Sequence, residues 1–166
     1  MMQAMTHTGK ADVTLPADDQ IKVVREFDAP AELVYRTVTE PELVKRWWGA
    51  KRGSMTVCEI DLRVGGSYRY VMDASNGQEV GFHGEFREIV PNKRIVQTEA
   101  YEGIPDPDAS ANVNTMTLTE KDGRTTMEVL IQCVNQESRD MQIESGMEEG
   151  MQESYDAMED VAKSLA

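Results

Sequence analysis

A chain of 166 residues with 40% hydrophobic side chains and 12 glycines has room for one domain with a sizeable buried core, and too little for two. Seventeen Lys and Arg against 30 Asp and Glu leave a net charge of −13, which repels a phosphate backbone or an anionic bilayer and so excludes nucleic-acid and membrane-surface partners. No run of about 18 apolar residues is present to span a bilayer, and residues 1–19 hold no apolar stretch of the secretory kind, so the expected address is cytoplasmic.

Residues 1–20 show no hydrophobic period and are expected to form a flexible leader, with order only near 13–15, while 21–166 should be the single domain. Positions 21–27 alternate as a strand does. Asp28-Ala29-Pro30 then breaks the pattern, and Pro30 is placed to open a helix carrying Val34, Tyr35 and Val38. Thr39-Glu40-Pro41-Glu42 has capping-box spacing and predicts a second short helix through Leu43 and Val44 to Trp47 and Trp48, ended by Gly49.

From 54 to 133 the punctuation is that of an antiparallel meander. Gly65-Gly66, Asn76-Gly77, Pro91-Asn92 and Asp122-Gly123 separate six predicted strands at 54–61, 66–73, 79–90, 94–101, 112–120 and 125–134. Phe86 and Ile89 are both apolar but out of phase, which predicts a bulge in the third of these. The segment 102–111, with two prolines and two aspartates, reads as a surface loop and is the best candidate for a mobile flap.

At 100° per residue, Met147, Met151, Ser154, Tyr155, Met158, Val161, Ala162 and Leu165 fall in one sector of a final helix, with Glu149, Glu153, Asp156, Asp160 and Lys163 opposite. The phase is lost when the wheel is run back past Ser145-Gly146, so a break is expected there. Residues 137–166 hold nine acids and two bases, and carry −7 of the total charge. A strand, two small helices, a run of antiparallel strands and one long amphipathic helix define an α+β architecture, the helix covering one sheet face.

Several motifs, in this order, resemble the START-like (SRPBCC) superfamily, and within it the heat-shock-protein ATPase activator (Aha-type) homologues. They are Phe27-Asp28-Ala29-Pro30, the run from Thr39 through Trp47-Trp48-Gly49, the run from Asp61 through Gly65-Gly66 to Arg69, the run from Gly84 to Pro91, and Ser145-Gly146-Met147-Glu148-Glu149-Gly150-Met151. The resemblance implies a helix-grip fold, a curved antiparallel sheet of about seven strands around the long C-terminal helix with an elongated cavity between them. Relatives of this kind include binders of apolar molecules, enzymes, and eukaryotic stimulators of a chaperone ATPase. The family commonly has Trp where this chain has Met151, and a flexible thioether in place of a rigid ring reshapes the cavity near the helix start.

The residues themselves offer little catalytic machinery. His83 and Glu85 share a strand face and are the minimum for acid–base work, yet no nucleophile motif accompanies them, and a solvent-facing polar pair is the plainer reading. His7 lies in the leader, no residue set has metal-ligand spacing, and Cys58 and Cys133 read as buried thiols, so neither metal nor cofactor is expected. Gly65-Gly66 lacks the helix start and Lys-Ser/Thr of a phosphate cradle and reads as a turn. Around Trp47 and Trp48, Lys45, Arg46, Lys51 and Arg52 form a basic patch, suited either to an anionic partner or to pairing with the acidic tail.

Tyr68, Tyr70 and Met72 share one strand face, and Met116 and Met127 fall on later strands. With Trp47, Trp48, His83, Met147, Met151, Ser154 and Tyr155 they are the candidate cavity residues, Met and Tyr supplying an adaptable apolar lining with a few polar handles. The leading expectation is a small binding protein, monomer or homodimer, that encloses an apolar or aromatic molecule. The alternatives are a chaperone-associated interaction module and a cyclase- or hydrolase-type enzyme in the same cavity.

Overall fold

The computed structural model describes residues 10–49 and 52–166. Among these residues eight antiparallel strands form one sheet: β1 (Asp12–Thr14), β2 (Gln20–Phe27), β3 (Gly53–Ile60), β4 (Ser67–Ala74), β5 (Glu79–Val90), β6 (Arg94–Tyr101), β7 (Asn112–Lys121) and β8 (Arg124–Gln132). Their order is β1-β2-β8-β7-β6-β5-β4-β3, so every neighbouring pair but β2 with β8 closes through a local connection. The helices are α1 (Ala31–Thr39), α2 (Pro41–Trp47), α3 (Gln136–Glu144) and α4 (Met147–Ser164). This is the α+β helix-grip arrangement: a curved open sheet with the long last helix on one face.

Alternation decides which face that is. Along β2, Ile21, Val23, Arg25 and Phe27 are buried while the residues between them are not. The register carries this phase across the sheet, Val23 opposite Val129, Met116 opposite Val129, and Ile95 opposite Met116. Against it α4 buries Met158, Val161 and Ala162, and Tyr155 meets Phe27 edge-on at 6.0 Å. Val129 and Tyr155 touch both the main core, built on Phe27, Phe86, Met127 and Met158, and a smaller cluster around Ile21, Ile131 and Cys133.

Local chemistry sets the boundaries. Asp122 and Gly123, at φ 55° and 77°, form a two-residue turn of the left-handed kind that matches strand twist and lets Lys121 pair with Arg124. The expected break between the last helices falls at Gly146, whose φ of 86° ends α3 and restarts the chain as α4. The expected bulge in β5 lies between Phe86 and Glu88, and it brings Ile89 opposite Ile95 on the core side.

Two expectations are corrected. Pro30 is the N-cap of α1 rather than its first helical residue. The capping box at Thr39 does not form, because Thr39 ends α1 and donates its hydroxyl to the Tyr35 carbonyl at 2.8 Å; α2 instead starts with Pro41 as its first residue. Close to the order expected near 13–15, residues 12–14 pair with β2 as a further strand, while residues 1–9 lie outside the described part of the chain. Among the described residues, no helix is long and apolar enough to cross a membrane.

Candidate functional site

The inner sheet face changes character along its length. On β6 the core-facing phase runs Ile95, Gln97, Glu99, and on β7 it runs Leu118, Met116, Asn114, Asn112, with Gln97 opposite Asn114 and Glu99 opposite Asn112. At the Leu118 end, Met127, Met158 and Ala162 fill the space completely. At the other end Tyr70, Gln97, Glu99, Asn114, Met116 and Val129 remain only half-buried although they face inward, as do Met151 and Tyr155 on α4. This less completely buried stretch of the inner face, between β4–β8 and the first half of α4, is the candidate chamber.

The polar groups of this chamber form a small network. The Asn114 side-chain amide donates to Glu99 Oε1 at 3.4 Å. Asn112 and Gln142, the latter from α3, exchange two bonds of 2.8 and 3.1 Å. Burial raises the Glu99 carboxyl above the ordinary carboxylate range, while hydrogen bonds from Asn114 and Asn112 pull it back. Burial likewise raises the hydroxyls of Tyr68, Tyr70 and Tyr155, with the Glu99 charge adding to each. Cys58, also facing inward opposite Tyr70, is pushed up to about 11 by burial.

Of the residues singled out in the sequence, the aromatic ones do converge. Trp48 packs on Tyr70 and Phe82 at centroid distances of 5.5 and 5.7 Å, and Tyr68 on Tyr70 and Phe86 at 5.1 and 5.5 Å. The Tyr68 ring crosses Gly84, where a Cβ would lie 2.7 Å from the ring, and its hydroxyl donates to the Thr98 carbonyl. Met116, Met147, Met151 and Ser154 are half-buried, Met147 and Met151 packing with Tyr155 near Ile131 and Cys133. Met72 is buried under Gly49, and Met127 is a filled core position. Trp47 turns away from the chamber, donating its indole N–H to the Thr37 carbonyl at 2.7 Å.

His83 stands apart, on the opposite face of β5 from Phe82, Gly84 and Phe86, together with Glu85. Its Nδ1 lies 2.8 Å from Glu102 and its Nε2 2.6 Å from Asp108, so it pins the 102–111 segment, with its short turn at Pro107–Ser110, to the outer side of the sheet. Asp108 and then Glu102 raise the imidazole, and the Arg69 guanidinium, bonded to the same carboxylate, is the main reason Glu102 falls to about 2. The pair cannot serve acid–base chemistry inside the chamber, because period two sends both residues outward.

The basic patch is largely consumed by acids of the chain itself. Arg52 binds Glu153 at 3.1 Å and reaches Glu149 at 3.9 Å, Lys45 pairs with Glu42 at 3.4 Å, and Arg46 donates to Ser164. Lys51 and His7 lie outside the described residues. Among the described residues no group of three or more His, Cys, Asp or Glu is arranged to hold a metal ion, and Cys58 and Cys133 are both free thiols. Hollows of about 780 Å³ beside Glu32, Lys93 and Arg94, and about 500 Å³ beside Lys10, Glu149 and Gln152, lie outside the chamber and are rimmed by charged groups.

The inward Gln97, Glu99, Asn112 and Asn114, and an ion pair in the core, are not among the residues singled out from the sequence. Arg25, almost wholly buried on β2, meets Glu159 of α4 at 2.8 Å and Asp156 at 3.2 Å. The available signal was polar residues falling in an apolar phase: Glu99 with Ile95, Asn114 with Met116, Arg25 with Val23.

A curved antiparallel sheet gripping a long C-terminal helix over a partly open, aromatic-lined inner face defines a START-like helix-grip protein. Residues 28–163 match the family described as Activator of Hsp90 ATPase homolog 1-like protein, and the chain belongs to that family. Among solved structures, a Rhodobacter sphaeroides protein is similar over 95% of this chain and 100% of its own, with 23% identity and a TM-score of 0.84. A Nitrosomonas europaea protein is similar over 91% of this chain and 98% of its own, at 27% identity and a TM-score of 0.80. An Arthrobacter aurescens protein reaches a TM-score of 0.81 at 24% identity over 92% of this chain and 91% of its own. No curated protein matches the chain.

Proposed function

We propose that this protein is a non-enzymatic carrier that encloses an apolar or aromatic small molecule in the chamber between the sheet and the first half of α4. The observation that carries the reading is the half-burial of inward-facing Tyr70, Met116, Val129, Met151 and Tyr155, beside a core that is filled a few residues further along. A ligand that buries about 200 Å² of apolar surface there gains roughly 5 kcal/mol before the costs of ordering, at about 25 cal/mol per Å². Trp48, Tyr70 and Phe82 supply flat apolar walls, and Met116 and Met151 adapt to the ligand's outline.

The test is native mass spectrometry of the gently purified chain, set beside titration with the uncharged fluorescent probe N-phenyl-1-naphthylamine. An added small-molecule mass, or saturable one-to-one uptake of the probe, is the expected result. A bare chain mass together with no probe uptake overturns the carrier reading.

A further inference from the structure

Among the described residues, the polar end of the chamber has more acceptors than donors. Glu99 accepts a long bond, 3.4 Å, from the Asn114 amide and a second hydrogen bond from Asn112, both of them neutral donors. The Asn114 carbonyl oxygen is buried and receives no hydrogen bond from the protein. Asn112 and Gln142 largely satisfy each other. Burial and two asparagine amides are the influences on the Glu99 carboxyl, and no basic side chain is among them. Arg25, on the same face, is already engaged by Glu159 and Asp156 of α4. A buried acceptor without a donor is costly, and a buried carboxylate more so.

We propose that the chamber selects amines: apolar or aromatic molecules whose protonated nitrogen docks at Glu99 and Asn114, with the carbon skeleton against Tyr70, Met116, Val129 and Tyr155. This rests on the carrier reading above and assigns its ligand class. An ammonium brings up to three donors and no acceptor, which matches the local deficit; an alcohol brings one donor, and a carboxylate adds acceptors and repels. Tyr70 and Tyr155, on the same inner face, add aromatic surface favourable to a cation as well as to its apolar part. The chain's net charge of −13 attracts cations from solution in the same sense.

The test uses a matched series, 1-naphthylmethylamine, 1-naphthalenemethanol and 1-naphthoate, titrated calorimetrically at neutral pH and physiological salt into the wild type and Glu99→Gln. In the wild type the amine should bind roughly 10- to 100-fold more tightly than the alcohol, the difference expected of a charge-assisted hydrogen bond, and the acid should bind least. Glu99→Gln keeps the shape, and should bring the amine down to the alcohol's affinity while moving the alcohol by less than about threefold. Circular dichroism of the variant checks that the fold is kept. Equal binding of amine and alcohol by the wild type, or an amine preference that survives Glu99→Gln, overturns the proposal. Uptake of N-phenyl-1-naphthylamine without binding of the amine overturns it while leaving the carrier reading intact; failure of the probe as well as the whole series removes both.

Discussion

The ion pair between β2 and α4 allows a quantitative test of how the helix is held. Arg25 is 1% exposed, its guanidinium sits 4.9 Å from the Phe27 ring centroid, and Glu159 meets it at 2.8 Å. The second Glu159 oxygen accepts the Asp28 backbone N–H at 2.8 Å, so the carboxylate also fixes the turn that leads into α1. Glu159→Ala removes the close counter-charge and that acceptor together. Breaking a buried pair from one side costs about 3–5 kcal/mol, and Asp156, which stays at 3.2 Å with a half-exposed side chain, places the expectation at the lower end, about 3 kcal/mol. Arg25→Met should cost a similar amount by leaving Glu159 buried against Asp156. The double variant Arg25→Met, Glu159→Met removes both charges at similar volume and should lie within about 2 kcal/mol of the wild type; with Glu159→Met alone costing about 3 kcal/mol, as Glu159→Ala does, the coupling is at least about 4 kcal/mol. Urea unfolding followed by Trp47 and Trp48 fluorescence reads this directly: at a slope of about 2 kcal/mol per molar, each single variant lowers the midpoint by about 1.5 M. Single losses below about 1 kcal/mol, or a double variant equal to the sum of its parts, would show that the buried pair does not hold α4 to β2.

Gly84→Ala places a Cβ 1.9 Å from the Thr98 carbonyl oxygen and 2.7 Å from the Tyr68 ring, and should cost about 1–3 kcal/mol with a loss of near-ultraviolet aromatic circular dichroism; an unchanged melt would contradict the crowding. The outer-face latch has a defined pH window. His83 is raised above 6.5 in the folded state, so its contribution is complete below that value and lost as pH rises through the raised one; Glu102 is lowered from 4.5 to about 2, so its contribution is present above 4.5 and lost on acidification towards 2. Amide exchange at Ala109 and Ala111 should therefore be slowest between about pH 4.5 and 6.5 after correction for intrinsic rates, and His83→Gln should remove the loss on the alkaline side. Flat protection from pH 5 to 9 in the wild type would count against the latch. Met151→Trp should fill the chamber, abolishing N-phenyl-1-naphthylamine uptake without lowering the melting temperature; retained uptake would move the binding position away from the start of α4.

Much of the architecture was legible because its signals are local. Turn chemistry at Asn76-Gly77 and Asp122-Gly123 separated strands to within a residue or two, and the helical wheel placed Met158, Val161 and Ala162 inward and located the break at Gly146. The bulge was visible as a slip between Phe86 and Ile89. What failed was competition between equally plausible local bonds. Thr39 had a helix on each side of it, and its hydroxyl went to the carbonyl of the helix it ends. The short β1 has three residues and no pattern of its own, so only its pairing with Lys22 to Val24 identifies it.

The candidate site was legible in its apolar half alone. Apolar residues announce their own face, so Tyr70, Met116, Met151 and Tyr155 could be placed without a partner strand. Glu99 and Asn112 become neighbours only through the register of β6 with β7, across a connection that the sequence presents as a loop. Once joined, they show that the inner face treats charge differently at its two ends. At the filled end α4 brings Glu159 to Arg25, whereas at the open end the helix brings Met151 and Tyr155, and among the described residues no basic side chain acts on Glu99. Tyr155 lies one helical turn before Glu159, so the ion pair that fixes α4 also sets the height of the chamber's roof. Loosening the pair should then weaken ligand uptake by a protein that is still folded. Glu159→Gln, measured well below its unfolding midpoint, should bind N-phenyl-1-naphthylamine several-fold more weakly although both Glu159 oxygens are bonded to Arg25 and the Asp28 N–H at the filled end, and unchanged affinity would show that roof and clamp are independent.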